Sequence, residues 1–207
     1  MFENGVDFIT GGNHIFDKRD FVQYLESSGR VLRPANYPPG VPGRGAATFS
    51  ADGVTVGVLN LMGRTFMPPV DDPFRCADEL VPDLRASARV LVVDVHAEAT
   101  SEKIALGRYL DGRVSCVVGT HTHVQTADEQ ILPSGTAYLS DLGMTGPTDG
   151  IIGMEGGAVL DRFLRGLSDR FSVERRGPKQ LCGAVVAIDR ISGKANDIKR
   201  IFLKGIA

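Results

Sequence analysis

Short apolar runs alternate with amphipathic stretches over the first two-thirds of the chain. Residues 6–10 carry β-branched and aromatic side chains and predict a strand, entered from residues 1–5, which read as the end of a helix stopped at Gly5. In residues 17–28, Phe21, Val22, Leu25 and Ser28 share one face, which predicts a helix ended by Gly29. Residues 48–50 and 54–61 flank Asp52-Gly53, a hairpin signal. Residues 77–87 read as a helix broken near Pro82, and 101–110 as a helix capped by Thr100 or Ser101. Residues 89–95 and 114–119 have the continuous apolar character of buried strands. Farther on, 131–132 and 136–139 bracket Pro133-Ser134-Gly135 as a second hairpin, and 155–165 read as a helix. Residues 170–174, 181–188 and 197–202 read as antiparallel strands, the last two joined by the turn Ser192-Gly193-Lys194. Loops dense in Pro and Gly fill 33–45, 62–73 and 143–153. Helix–strand alternation followed by hairpins predicts an α/β fold, layered, with mixed β-sheets flanked by helices. Such a sheet places its ligands at the C-terminal ends of its strands.

Composition narrows the classes. At 207 residues, 43% hydrophobic and 23% charged, the chain is a single folded domain over 1–207 rather than a disordered one. A formal charge of −2 supplies no basic field for nucleic acid, so the local run Arg170, Arg175, Arg176 and Lys179 reads as a solvated face. No apolar stretch approaches a membrane span, and the first residues lack the pattern of a signal peptide. Three cysteines at unrelated spacings read as reduced thiols, which makes a cytoplasmic location the expectation. Self-association is left open by the sequence.

The four histidines carry the chemical signal. His14 follows the strand at 6–10 in Gly11-Gly12-Asn13-His14; His96 closes the run at 91–95; His121 and His123 follow the strand at 114–119. Each therefore lies at or just beyond the C-terminal end of a predicted strand, where one sheet would gather them on one edge. Neutral imidazole is a common metal ligand, and Asn13 adds an amide oxygen suited to harder ions. A lone histidine after a strand is more often a hydrogen-bonded structural residue. Four of four at strand ends, beside a Gly-Asn-His turn, favour the metal reading.

Gly-Asn-His, then a strand ending in His, then Gly119-Thr120-His121-Thr122-His123 is the ordered pattern of calcineurin-like metallophosphoesterases. The strings Phe8-Ile9-Thr10-Gly11-Gly12-Asn13-His14, Arg33-Pro34-Ala35-Asn36-Tyr37-Pro38 and Asp141-Leu142-Gly143-Met144-Thr145-Gly146-Pro147 resemble the bacterial YmdB-like branch. So do Asn60-Leu61-Met62-Gly63-Arg64 and the segments running on from His96 and His121, and the likeness spans nearly the whole chain. The resemblance implies a metal-dependent phosphodiesterase acting on small cyclic nucleotides, including 2′,3′-cyclic monophosphates. It implies two divalent ions, Fe or Mn, holding a bridging hydroxide. Position by position, it makes Asn13, His96 and His121 ligands of one ion, His123 a ligand of the other, and His14 the catalytic histidine beside the leaving group. The family pattern also begins with strands ending in Gly-Asp and Glu-Asn, which the sequence ahead of residue 6 does not contain. A fragment lacking its N-terminal strands, or a misplaced start, is the expectation that follows. The alternatives are a regulatory or binding module that keeps the fold, and a hydrolase of another ester. Arg44, Arg64 and Tyr37 could reach substrate from the pocket rim, as could Thr145-Gly146-Pro147.

Overall fold

The structure, a computed structural model, describes residues 1–166 and 170–206. Its central layer is a six-stranded mixed sheet of β3 (Ala46–Ala51), β4 (Val54–Met62), β5 (Val90–His96), β6 (Cys116–Thr120), β7 (Gln130–Ile131) and β8 (Ala137–Leu139), in the order β3-β4-β5-β6-β8-β7. Strands β4, β5, β6 and β8 run parallel, and each outer strand turns back antiparallel through a hairpin. Helices α2 (Pro73–Ser87) and α3 (Thr100–Tyr109) cover one face. The other face is covered by a sheet of β9 (Gly146–Pro147), β10 (Lys179–Ile188) and β11 (Ala195–Ile206). A two-stranded parallel pair, β1 (Ile9–Thr10) with β2 (Val31–Leu32), carries α1 (Arg19–Ser27) on its connection. Helix α4 (Gly156–Arg165) follows the glycine-rich loop.

Side-chain alternation along β5 and β6 decides what each layer is made of. Leu91, Val93, Val95 and Val117 face α2 and α3 and join Leu59, Leu61, Ala77, Val81, Leu84 and Leu106 in the main core. Cys116 and Val118 face the other way and pack with Leu139, Ala195 and Ile198 under β10 and β11. Asp94, His96 and Thr120 have the parity of this second face, and the register sets His96 directly beside Thr120. Polar groups on an otherwise apolar pair of strands therefore emerge together at their C-terminal ends.

Some expectations change. The helix expected at 77–87 with a break at Pro82 is one unbroken helix from Pro73. Asp72 caps it by accepting from the Phe74 and Arg75 amides, Pro73 suits its first turn, and burial of Ala77, Val81 and Leu84 holds it across Pro82. The strand expected at 170–174 is only a single bridge, Met154 to Val173. The strand expected at 6–10 is confined to β1, and its partner β2 had no signal beyond two apolar residues. The N-terminal helix end is a short 3₁₀ turn closed by Gly5. Among the described residues no helix is long and apolar enough to cross a membrane.

Gly119 marks the tightest approach in the sheet. A Cβ there would lie 1.8 Å from the Ser140 carbonyl oxygen and 2.7 Å from the Lys103 side chain. Neither the backbone nor a buried lysine can yield, so Gly119→Ala is expected to destabilise the fold at or above the upper end of the ~1–3 kcal/mol usual for overpacking. Urea denaturation monitored by circular dichroism measures it.

Candidate functional site

Three chain segments converge beyond the ends of β1, β5 and β6. Gly12 has no side chain, and a Cβ in its place would sit 2.1 Å from His96 Nε2; only glycine lets the β1 loop close on the imidazole. Asn13 Oδ1 then lies 2.9 Å from His96 Nε2, and His121 Nδ1 lies 3.1 Å from that same nitrogen. The His96 and His121 rings meet edge to face, with centroids 4.8 Å apart.

Each ring's other nitrogen fixes its tautomer. Burial pushes the Asp94 carboxyl up to about 6, against hydrogen bonds from Thr10 and Thr120 that pull it down, so near neutral pH it is ionised and only accepts. The Thr120 hydroxyl donates to Asp94 Oδ1 at 2.8 Å, which uses its one hydrogen. Its oxygen must then accept from His96 Nδ1–H at 3.0 Å. His96 Nε2 is left as a lone pair. Burial, with the nearby imidazole of His121 and the Lys103 ammonium, brings the His96 pKa down to about 4 and keeps the ring neutral. His121 Nε2 lies 3.1 Å from Glu98 Oε2, an acceptor that favours a proton on Nε2 and a lone pair on Nδ1. Burial is also the largest influence on His121, lowering its pKa against the opposing pull of Glu98.

The tautomers these acceptors favour leave Asn13 Oδ1, His96 Nε2 and His121 Nδ1 facing one another as electron-pair donors. Such a set is repulsive by itself and suits a cation. Ligand atoms about 2.1 Å from one ion lie about 3 Å apart at right angles, and 2.9 and 3.1 Å are spacings of that kind. Among the described residues no group of three or more His, Cys, Asp and Glu side chains is placed to hold an ion.

The other two histidines stand apart from this set. His123 lies beyond Thr122 with its Nδ1 donating to the Ile152 carbonyl at 2.8 Å. His14 is exposed, its Nδ1 2.9 Å from Asp17 Oδ2. The sequence brought four imidazoles to one edge; the structure joins two of them and sets one on each flank. His14 lines a cavity of about 250 Å³ with Gly12, Asn13, Phe21 and His96. His123 lines another of about 340 Å³ with Gln125, Ile152, Arg200 and Phe202. Of the rim candidates, Pro147 lines the cavity at His123, Arg64 is paired with Asp72 at 2.8 Å, Tyr37 packs edge-on against Phe16, and neither these two nor Arg44 and Thr145 line either cavity.

Several supporting residues had a weaker signal. Thr120 is the clearest, recognisable only once the β5–β6 register is known. Lys103 resembles a solvated helix lysine, yet its side chain is 2% exposed and its Nζ lies 2.7 Å from Asp141 Oδ2. Its spacing with Leu106, Gly107 and Leu110 shows that it belongs to the buried face of α3. Asp141 Oδ2 also accepts from the Thr122 amide and hydroxyl, and Oδ1 from the Gly143 amide. Lys103→Met would leave that carboxylate buried without its cation and is expected to cost ~3–5 kcal/mol. Part of that loss should return in the Lys103→Met/Asp141→Asn pair, which removes the unpaired charge and keeps an acceptor for Thr122 and Gly143, as measured by chemical denaturation.

Comparisons with known proteins agree over almost the whole chain. The family of YmdB-like proteins matches residues 1–201. The 2′,3′-cyclic-nucleotide 2′-phosphodiesterase of Bacillus subtilis (strain 168) is 50% identical over 203 residues, covering 98% of this chain and 76% of that protein. The crystal structure of a hypothetical protein from Thermus thermophilus superposes with a TM-score of 0.92 at 42% identity, covering 99% of this chain and 79% of that one. A novel phosphatase from Mycoplasma pneumoniae superposes with a TM-score of 0.88 at 32% identity, covering 98% and 74%.

Proposed function

The chain belongs to the YmdB-like family, and from that premise we propose that it is a phosphoric diester hydrolase that opens 2′,3′-cyclic nucleotides with the help of two divalent ions, Fe or Mn. The observation that carries this reading is the approach of Asn13 Oδ1 and His121 Nδ1 to within 2.9 and 3.1 Å of His96 Nε2. These three would hold one ion, and His123, with its Nε2 unprotonated, would serve the other. When bound, such ions supply positive charge to the phosphoryl oxygens and make water a competent nucleophile at neutral pH.

The chain's own groups then divide the remaining work. Gly12 keeps the approach to His96 open. Burial holds His121 and His96 as neutral rings, while Glu98 and the Thr120–Asp94 relay orient them, which strengthens them as donors. His14 supplies the proton to the departing ribose oxygen. Its Nδ1 is held by Asp17, so Nε2 is the atom that exchanges the proton. Its exposed place beside the cavity at Asn13 suits a group that must meet a substrate and recover a proton from water. The substrate is a small phosphodiester, and the three unpaired cysteines fit a cytoplasmic setting.

Two substitutions separate the roles. His121→Ala is expected to weaken Mn²⁺ binding, followed by calorimetric titration, by at least about tenfold. His14→Ala is expected to keep Mn²⁺ affinity while lowering turnover of 2′,3′-cyclic AMP by ~10²–10⁴-fold, the usual worth of a general acid. Equal losses of metal in both variants would refute the division of roles. A wild-type chain that takes up no Mn²⁺ would refute the reading itself. The hydroxyl relay has its own signature: Thr120→Val removes the acceptor on His96 Nδ1 and is expected to reduce Mn²⁺ affinity by about 10–100-fold with the fold intact.

A further inference from the structure

The glycine-rich loop contains a backbone conformation that its sequence does not favour. Ile152 has φ of 45° and Gly153 φ of 91°. The Ile151 amide donates to the Met154 carbonyl at 2.8 Å and the Met154 amide to the Ile151 carbonyl at 3.0 Å. That is a two-residue hairpin turn with positive φ at both central positions, the type I′ geometry, whose first position favours Asn, Asp or Gly. A β-branched residue there is a genuine outlier. The turn is held from outside: Glu174 donates its amide to the Gly153 carbonyl, and Glu155 donates to Ser172, both at 2.9 Å. Ile152 has 52% of its surface exposed, so core packing does not explain the strain. Its carbonyl is the group that accepts from His123 Nδ1. His123 itself has φ of 66°. Two strained residues, 29 positions apart, meet in one hydrogen bond.

We propose that the Ile152–Gly153 turn is the positioning element of His123. The strained peptide presents its carbonyl to Nδ1, holds the imidazole as the Nδ1–H tautomer, and leaves Nε2 as the free donor atom. Because a carbonyl only accepts, the other tautomer has no place in this contact. Strain held by surrounding structure at such a contact is the pattern of a preorganised site. The inference rests on the reading of His123 as a metal ligand, and its first test does not depend on metal.

Long-range ¹H–¹⁵N correlation spectra of the metal-free wild-type chain report the tautomer of each histidine. His123 is expected as Nδ1–H; an Nε2–H ring would overturn the proposal whether or not the chain binds metal. Ile152→Asn keeps the carbonyl in a conformation that asparagine tolerates. It is expected to preserve the tautomer and Mn²⁺ affinity and to raise the melting temperature by roughly 2–4 °C, the shift that a kilocalorie gives in a chain of this size. Ile152→Pro cannot adopt the required φ. It is expected to move His123 toward the Nε2–H form and to weaken Mn²⁺ binding by about tenfold or more. An asparagine variant that loses as much affinity as the proline variant would also overturn the proposal. Should the proline variant not fold, the wild-type tautomer decides.

Discussion

A buried lysine–carboxylate pair is the constraint on which the site depends. Lys103 and Asp141 are 2.7 Å apart with almost no exposure, and each reaches beyond the other. Lys103 also donates to the Thr120 carbonyl at 3.0 Å, and Asp141 takes both the amide and the hydroxyl of Thr122. Those two residues alternate with the histidines in Thr120-His121-Thr122-His123. The histidines between and after them have φ of 102° and 66°, conformations that L-residues avoid. Strain of this kind persists where neighbouring groups over-determine the backbone. The ion pair does so from beneath, and the Gln125 amide, bonded to the carbonyls of Leu142, Gly183 and Ile201, ties the following residues to the second sheet. Desolvating two charges is costly, so the pair is better understood as fixing one conformation of this loop than as a source of stability.

The frame of the molecule was legible in the chain because burial on both faces of β5 and β6 writes itself as continuous apolar sequence. Their helices, the two hairpins and the C-terminal pair followed from similarly strong patterns. Elements that owe their existence to partners far along the chain were not legible. β2 is two residues long and forms only because β1 lies beside it. β9 is a Gly-Pro pair recruited by the start of β10. The converse failure is the expected strand at 170–174, where the hydrogen bonds between 153–155 and 172–174 amount to a single bridge.

The same division holds for the site. Histidines at strand ends pointed to one edge, and His96 and His121 do meet there, since the parallel strands β5 and β6 present their termini together. What the pattern could not specify is which imidazoles touch. His96 and His121 do because β5 and β6 are neighbours in register and His121 turns back with positive φ. His14 and His123 lie at similar sequence distances from their strands but are drawn outward by local acceptors, Asp17 for one and the Ile152 carbonyl for the other. Lys103 escaped notice for a related reason: its type signals solvent, and only helical spacing signals burial.

Every histidine in the chain has one nitrogen already assigned to an acceptor of a different kind: a carboxylate on its own turn for His14, a hydroxyl for His96, a carboxylate from the adjoining loop for His121, and a peptide carbonyl for His123. In each case the acceptor removes the freedom to choose a tautomer and reserves the second nitrogen. The rigidity of these supports differs. The hydroxyl on His96 sits on a central strand and is backed by buried Asp94, so it moves only with the sheet. Glu98 is half exposed, and Asp17 more so. The carbonyl on His123 belongs to a strained surface turn pinned by two backbone hydrogen bonds. A gradient of rigidity therefore runs across the site, firm around His96 and His121 and loose around His14. That ordering follows from which residues the sheet carries and which the loops carry, and it leaves His14 on the side where water has access.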